Sequence, residues 1–164
     1  MKRLSLMVAC CTLLTAVSAF AQGVPDITLQ DPHGGTHNLK ALAGAGGLIL
    51  VISSPTLEER SAQEKWTKLL SDTRESNRGT FVLVEDMGDA FLKSIALHEM
   101  KEEWKPGDVP LLLVDNGDTL NSVLDVHSEE TVIFAYDKRG KRVKCYAGVP
   151  SKNEARAIWK SIQQ

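Results

Sequence analysis

The stretch GLILVISSPTLEER, residues 47–60, places an apolar run directly before a polar segment that has the features of a helix start. From Gly47 to Ser53 the side chains are almost all leucine or β-branched, which favours a strand buried on both faces of a sheet. Thr56 and Glu59 have the spacing of a capping box, so a helix is predicted to begin just after the strand. The apolar positions that follow at helical intervals are Ala62, Trp66, Leu69 and Leu70.

Further strand and helix patterns lie on both sides of this unit. Upstream, residues 27–30 and 36–42 surround the turn-forming sequence DPHGG, residues 31–35, and predict a hairpin or a strand leading into an ordered arm. Downstream, Phe81–Val84 predicts a second buried strand, and Asp89 can cap another helix. The apolar residues predicted to share one face of that helix are Phe91, Leu92, Ile95, Ala96, Met100 and Trp104.

The second half of the chain predicts mainly antiparallel structure. Residues 109–114 predict a strand, DNGD at 115–118 a tight turn, and residues 123–126 a short returning strand. Residues 131–136 and 142–147 predict a hairpin joined by the turn DKRG. A last helix is predicted to open at the capping box of Ser151 and Glu154, with Ala155, Ile158, Trp159 and Ile162 on one side.

This order of elements predicts the fold class. Strand, helix, strand and helix are followed by an antiparallel hairpin and a terminal helix. A mixed central sheet with helices on both faces buries all of these apolar surfaces. The sequence therefore predicts an α/β three-layer sandwich.

The first 21 residues have the pattern of an export signal. Lys2 and Arg3 precede an apolar stretch from Leu4 to Phe20, and small residues end it before a cleavage site after Ala21. Cys10 and Cys11 allow the alternative of a lipid-modified N-terminus, but the apolar core before them is shorter than such signals need. We expect residues 1–21 to be removed and residues 22–164 to form one domain in the periplasm.

The net charge and the number of cysteines argue against two classes of function, nucleic-acid binding and chemistry that needs an intramolecular disulfide. The whole chain has 19 basic and 21 acidic residues, and removal of residues 1–21 takes away two basic residues and no acidic one. A net acidic domain without a basic patch is not expected to bind nucleic acid. After signal removal Cys145 is the remaining cysteine, so no intramolecular disulfide can form.

Two turns carry a resemblance to a known superfamily. Asp31-Pro32-His33-Gly34 with Leu39 matches the Asp-x-x-Gly turn of a leading hairpin, and DKRG at 137–140 matches the turn of a final hairpin. In these turns and in its order of elements, the chain resembles the thioredoxin-like superfamily, in particular its redoxin or peroxiredoxin-like branch. Lys65 and Ser128-Glu129-Glu130 add a similarity to small periplasmic thioredoxin-like proteins of the YtfJ type.

The resemblance implies that the reactive site lies where the first core strand meets its helix, and this chain has no cysteine there. Active members carry a reactive cysteine where the first core strand meets its helix, because the helix N-terminus lowers the pKa of the thiol. A Cys-x-Pro-Cys alignment places Ser53 and Thr56 at the cysteine positions, and a Cys-Pro-Thr alignment places Ser54 there. Active members also have a cis-proline before the strand that starts near Val132, where this chain has Thr131.

We therefore expect a binding or interaction protein that lacks redox chemistry, with an unknown protein, peptide or small ligand as partner and no cofactor. The helix N-terminus offers free amide donors for an anionic group or a partner's backbone. The alternative for the hydroxyl residues is plain helix capping. The predicted binding residues are Ser53, Ser54, Thr56, His127, Glu130 and Thr131.

Three other possibilities stay open at the level of sequence. Cys145 could serve as a single-cysteine centre of a thiol or peroxide oxidoreductase, although Cys145 lies far along the chain from the helix that would activate it. His127 with Glu129 and Glu130 could support acid–base chemistry or a metal, and the alternative is a solvated charged loop. The pair of histidines in the leading hairpin supplies only half of a closed zinc site, so no metal site is predicted.

Overall fold

The computed structural model contains seven strands and five helices in the part of the chain that it describes. The strands are β1 (Thr28–Gln30), β2 (Thr36–Asn38), β3 (Leu48–Ser53), β4 (Thr80–Asp86), β5 (Leu111–Asp115), β6 (Val132–Tyr136) and β7 (Arg142–Ala147). The helices are α1 (Leu39–Ala43), α2 (Leu57–Asp72), α3 (Lys93–Glu103), α4 (Thr119–Leu124) and α5 (Lys152–Ile162). The described residues are 23–44, 46–54, 57–74, 79–88, 93–117, 119–124, 130–148 and 150–164.

All seven strands form one mixed sheet with the order β2-β1-β5-β4-β3-β6-β7. Strand β3 lies inside it, parallel to β4 and antiparallel to β6. All six residues of β3 are buried, as the unbroken apolar run predicts for a strand covered on both faces. At its start Gly47 has a φ of 82°, and a Cβ there would come within 2.6 Å of the Tyr136 carbonyl oxygen, so a side chain would not fit.

Helices cover both faces of the sheet, which confirms the predicted three-layer architecture. We call the face under α1 and α4 the α1–α4 face, and the opposite one the α2–α5 face. Alternate strand residues supply the two cores. The α1–α4 face buries Leu39, Leu50, Val82, Leu113, Leu120, Leu124 and Phe134, and the α2–α5 face buries Ile49, Val51, Trp66, Leu70, Phe81, Ile133, Ile158 and Trp159.

The terminal helix α5 begins at the predicted capping box. The Glu154 backbone N–H donates to Ser151 Oγ at 3.2 Å, and the Ser151 N–H donates to the Glu154 carboxylate at 2.8 Å. Trp159 Nε1 donates to the Leu70 carbonyl oxygen at 2.8 Å, which joins α5 to α2. The predicted cap of α2 involves Thr56, which lies outside the described residues, as does the Asp89 cap predicted for α3.

The prediction of a returning strand after residues 115–118 is wrong, because residues 119–124 form helix α4. Both edges of β5 are occupied, by β4 on one side and by β1 on the other, so a returning strand has no edge to pair with. The Asp115 carboxylate accepts hydrogen bonds from the N–H groups of Gly117 and Leu120, at 3.2 and 2.7 Å. Leu120 and Leu124 lie one helical turn apart, and both are buried.

The apolar face predicted for α3 is not buried within the helix. No residue of α3 is buried, and Ile95 is 53% exposed. Ala96 and Met100 are half-buried, because a cavity separates them from the sheet. Trp104, just after the helix, is buried, whereas Phe91 and Leu92 lie outside the described residues.

Candidate functional site

The candidate site lies where β3 ends and the chain leads toward α2. Ser53 is the last residue of β3 and is 4% exposed, whereas Ser54 is half-buried. The Ser53 Oγ has no hydrogen-bond partner among the described residues. Of the two predicted registers, the one on Ser54 therefore presents the more accessible hydroxyl. Thr56 lies outside the described residues.

The strands on either side bring two further residues to the end of β3. Glu85 of β4 is the register partner of Ser53, and strand alternation places both on the α2–α5 face. On the other side Ile52 pairs with Val132, so Thr131 lies beside Ser53 at the same edge of the sheet. Thr131 is 1% exposed.

The backbone of Thr131 is held in place by α2 through an intermediate glycine. The Gly148 N–H donates to the Thr131 carbonyl oxygen at 3.3 Å. The Gly148 carbonyl oxygen in turn accepts from Trp66 Nε1 at 2.8 Å, and Trp66 is 1% exposed. Glu130 is exposed next to this anchor, whereas His127 and Glu129 lie outside the described residues.

Sequence reasoning missed Glu85. This residue continues β4 beyond the predicted Phe81–Val84, and its carboxylate Oε1 accepts a hydrogen bond of 2.5 Å from Gln63 Nε2 of α2. Burial raises the pKa of Glu85, and the Gln63 hydrogen bond and the Arg60 charge oppose this effect only in part. The signal present in the sequence was an acidic residue directly after the apolar run Phe81–Val84, at the carboxyl end of a predicted buried strand.

Cys145 lies away from this site. It is exposed on the edge strand β7 and pairs with Phe134 of β6, a residue of the α1–α4 face. Side chains of paired residues in antiparallel strands lie on the same face, so Cys145 is on the opposite face from Ser53. Although the residue is exposed, partial burial of its thiol raises the pKa of Cys145, and the Arg142 charge opposes this shift.

The histidines of the leading hairpin have structural partners. His37 Nε2 donates to Asp31 Oδ2 at 2.9 Å, and His33 Nε2 donates to the Trp104 carbonyl oxygen at 3.0 Å. Burial acts to raise the pKa of Asp31, but hydrogen bonds from His37, Gly35 and His33 outweigh it and leave the pKa below its ordinary value. The described residues contain no group of three or more His, Cys, Asp or Glu side chains placed to hold a metal ion.

Comparison with solved structures identifies the architecture. DsbF of Mycobacterium tuberculosis, in mixed oxidized and reduced forms, superposes with a TM-score of 0.66 at 14% identity, over 85% of this chain and 99% of its own. The pneumococcal exposed lipoprotein thioredoxin of Streptococcus pneumoniae gives 0.65 at 17% identity, over 83% and 98%. The fold is thioredoxin-like. A secreted thiol-disulfide isomerase of Corynebacterium glutamicum gives 0.65 at 15% identity, over 86% of both chains.

These similarities confirm the predicted fold class and the resemblance to redoxin-type proteins at the level of the fold. No protein-family model matches the sequence, and neither does any curated protein sequence. The similarity to proteins of the YtfJ type stays a prediction. In the described part of the chain, no helix has the length and apolar character needed to cross a membrane.

The cis-proline that the resemblance implies before β6 is absent from that position, which Thr131 occupies. A cis peptide bond joins Val109 to Pro110, ahead of β5. The position that precedes β6, next to the end of β3, is held by Thr131. The edge of the sheet where the resemblance implies sulfur chemistry thus contains hydroxyl side chains and the carboxyl groups of Glu85 and Glu130.

Proposed function

We propose that this protein is an exported thioredoxin-like binding module that recognises a peptide, protein or small ligand at the junction of β3 and α2 and performs no thiol chemistry. The proposed site comprises Ser53, Ser54 and Thr56 from this junction and His127, Glu130 and Thr131 from the segment before β6. Of these, Ser54 and Glu130 are accessible to a ligand, Ser53 and Thr131 are buried at the same edge of the sheet, and Thr56 and His127 lie outside the described residues. Export is supported by the signal pattern in residues 1–21 and by the secreted or exposed relatives of the same fold.

The observation that carries the proposal is the presence of hydroxyl groups at the end of β3. A thiol has an ordinary pKa of about 8.5, and a helix N-terminus lowers this value far enough for the thiol to lose its proton near neutral pH. A serine hydroxyl is far less acidic, and about 1 kcal/mol from the helix dipole does not ionise it. Ser53 and Ser54 can therefore donate and accept hydrogen bonds, but they cannot form a disulfide.

The position of Cys145 supports the same proposal. Its thiol lies on the opposite face of the sheet from Ser53, so one substrate cannot contact both residues at the sheet edge. Its pKa is raised, which reduces the thiolate fraction at neutral pH. A redox centre at Cys145 would use none of the features that activate thiols in this fold.

Turnover assays on the purified protein test the proposal. We expect the reduction of insulin disulfides and the consumption of hydrogen peroxide to equal the background without protein, for the wild type and for Cys145→Ser alike. Cys145→Ser is the matched control because it removes the thiol and leaves the β3 junction intact. Turnover by the wild type that disappears in Cys145→Ser would refute the proposal and establish the single-cysteine enzyme instead.

A further inference from the structure

A cavity of about 300 Å³ lies between helices α2 and α3 and the strands β4 and β5. This volume is at the lower end of the range for small-molecule sites in proteins. The cavity does not include the hydroxyl residues at the end of β3, but it shares Glu85 with that edge of the sheet. Its lining combines apolar side chains with an excess of acidic ones.

The apolar wall exists because α3 does not pack onto the sheet. Ala96 and Met100 of α3 face Leu83 of β4 and Leu112 of β5 across the cavity. The two helix residues are only half-buried, although the sequence pattern places them on an apolar stripe that would ordinarily contact a core. A ligand with a hydrocarbon body would complete this contact and remove apolar surface from water.

The polar side of the cavity is formed by Glu85 and Gln63. Gln63 is 7% exposed and donates to Oε1 of Glu85, which fixes the orientation of the carboxylate. Among the described residues no other hydrogen bond to this carboxylate exists, so Oε2 is available to a donor on a ligand. A partly buried carboxylate with an available oxygen interacts strongly with a hydrogen-bonding cation.

The charges around the cavity favour a cationic ligand over an anionic one. Arg60 is the cationic side chain in the lining, and its guanidinium already lies 3.5 Å from the Glu64 carboxylate and 3.4 Å from that of Glu103. Glu85 and Glu99 also line the cavity. The lining thus has four carboxyl groups against one guanidinium, and a positive ligand would offset the difference.

We propose that this cavity binds a small organic ammonium compound, whose cationic nitrogen donates to the Glu85 carboxylate and whose hydrocarbon body lies between α3 and the sheet. The ammonium group supplies the hydrogen-bond donor that Oε2 lacks, and the body contacts Leu83, Leu112, Ala96 and Met100. A neutral or anionic compound of the same shape fills the same space but leaves the excess acidic charge uncompensated.

The test compares three probes of equal hydrocarbon body. Phenethylamine, phenethyl alcohol and phenylpropanoate are titrated into the isotope-labelled protein, and amide chemical shifts are followed by NMR. We expect phenethylamine to bind with a millimolar or lower Kd and at least tenfold more tightly than the other two, with shift changes in α3, β4 and β5. Absence of binding at millimolar concentrations, or equal affinity for the alcohol, overturns the proposal.

Variants separate the two parts of the site. Glu85→Gln keeps the side-chain size and removes the charge, and Ala96→Phe fills the apolar side. Each is expected to weaken phenethylamine binding at least tenfold. Glu102→Gln is the matched control because Glu102 is exposed on α3 and outside the cavity, so it should leave the Kd unchanged.

Thermal unfolding of each variant shows whether it is folded before the titration is interpreted. If Ala96→Phe fails to fold, Glu85→Gln decides the question alone. A folded Glu85→Gln variant that binds the amine as tightly as the wild type overturns the proposal. The titration of the wild type involves no substitution at the β3 junction, and the turnover assays do not involve the amine. Failure of the wild type to bind phenethylamine therefore does not bear on the proposed function.

Discussion

Replacement of Ser53 by alanine should make this protein more stable, although serine-to-alanine changes at buried sites often destabilise. Ser53 is 4% exposed, and its Oγ has no hydrogen-bond partner among the described residues. A buried polar group without a partner costs about 1–3 kcal/mol. Alanine removes that group at the expense of a few dispersion contacts of one oxygen atom, each worth about 0.1–0.2 kcal/mol.

The net effect is a gain of about 1 kcal/mol in the free energy of unfolding, after the lost contacts are subtracted from the lower part of that range. With a urea m-value of about 2 kcal/mol/M, the unfolding midpoint should rise by about 0.5 M. The assay is urea unfolding followed by tryptophan fluorescence, since Trp66 and Trp159 are both buried. An unchanged m-value shows that stability, and not the compactness of either state, has changed.

Two controls make the measurement specific to an unpartnered hydroxyl. Tyr136 is fully buried and its OH also lacks a partner among the described residues, so Tyr136→Phe should stabilise by a similar amount. Ser54 is half-buried, so Ser54→Ala should change the free energy of unfolding by less than about 0.5 kcal/mol. Destabilisation of Ser53→Ala by 1 kcal/mol or more, on the order of a hydrogen bond, would refute the reasoning, because it would mean that Oγ has a partner in the folded protein.

Three further predictions concern ionisable groups. The pKa of Asp31 is lowered in the folded protein, so its stabilisation is present above the unfolded pKa of about 3.9 and is lost as pH falls through the folded value. Asp31→Asn removes the charge and one of the two acceptor oxygens, so the contacts to His37, His33 and Gly35 cannot all be kept. The variant should lose about 1–2 kcal/mol of stability at pH 7, and the difference should shrink below about pH 4 in a series of thermal melts. The pKa of Glu85 is raised, so its charged form opposes folding above the folded pKa, and this opposition is relieved as pH falls through it. Glu85→Gln should therefore raise the melting temperature at pH 8 and lose this advantage toward pH 4.5; an equal shift at both pH values would contradict the assignment. Finally, in a Cys145→Ser background, Ser54→Cys should react with iodoacetamide with a lower apparent pKa than Cys145 of the wild type, because the α2 N-terminus favours a thiolate. Identical pH profiles would show that the junction does not activate sulfur.

The proposed binding site at the end of β3 and the cavity proposed to bind an amine are neighbours on the α2–α5 face of the sheet. Ser53 and Glu85 are register partners on β3 and β4, and Glu85 also lines the cavity. Substitution of Glu85 could therefore alter the hydroxyl junction as well. For this reason the cavity is tested with defined probes and with Ala96→Phe, which changes the side of the cavity remote from Ser53.

Most elements of the fold could be predicted from local sequence. The apolar run of β3, the amphipathic pattern of α2 and the capping box of α5 each have a signal that depends on adjacent residues. The local pattern was misleading after β5. The turn-forming residues 115–118 predicted a returning strand, but residues 119–124 form helix α4. The deciding fact was that β1 and β4 occupy both edges of β5, and residues distant in sequence create that situation.

For the candidate site, the sequence could identify the hydroxyls but not their surroundings. The absence of cysteine at Ser53, Ser54 and Thr56 follows from residue identity alone. The burial of Ser53, the anchoring of Thr131 through Gly148 and Trp66, and the location of Cys145 on the other face all depend on strand register. A shift of one residue in the register of a strand would move each of its side chains to the other face of the sheet.

Residue identities and local patterns establish an α/β order of elements, an acidic chain and an alcohol where the resemblance implies a thiol. The packing of the folded chain places the apolar residues of α3 beside a cavity and brings Glu85 into contact with Gln63 there. The two kinds of information differ in the distance along the chain over which they act. Helix and strand signals arise from neighbours within a few residues, whereas burial, charge balance and the pKa of Glu85 arise from groups that folding brings together from α2, α3, β4 and β5.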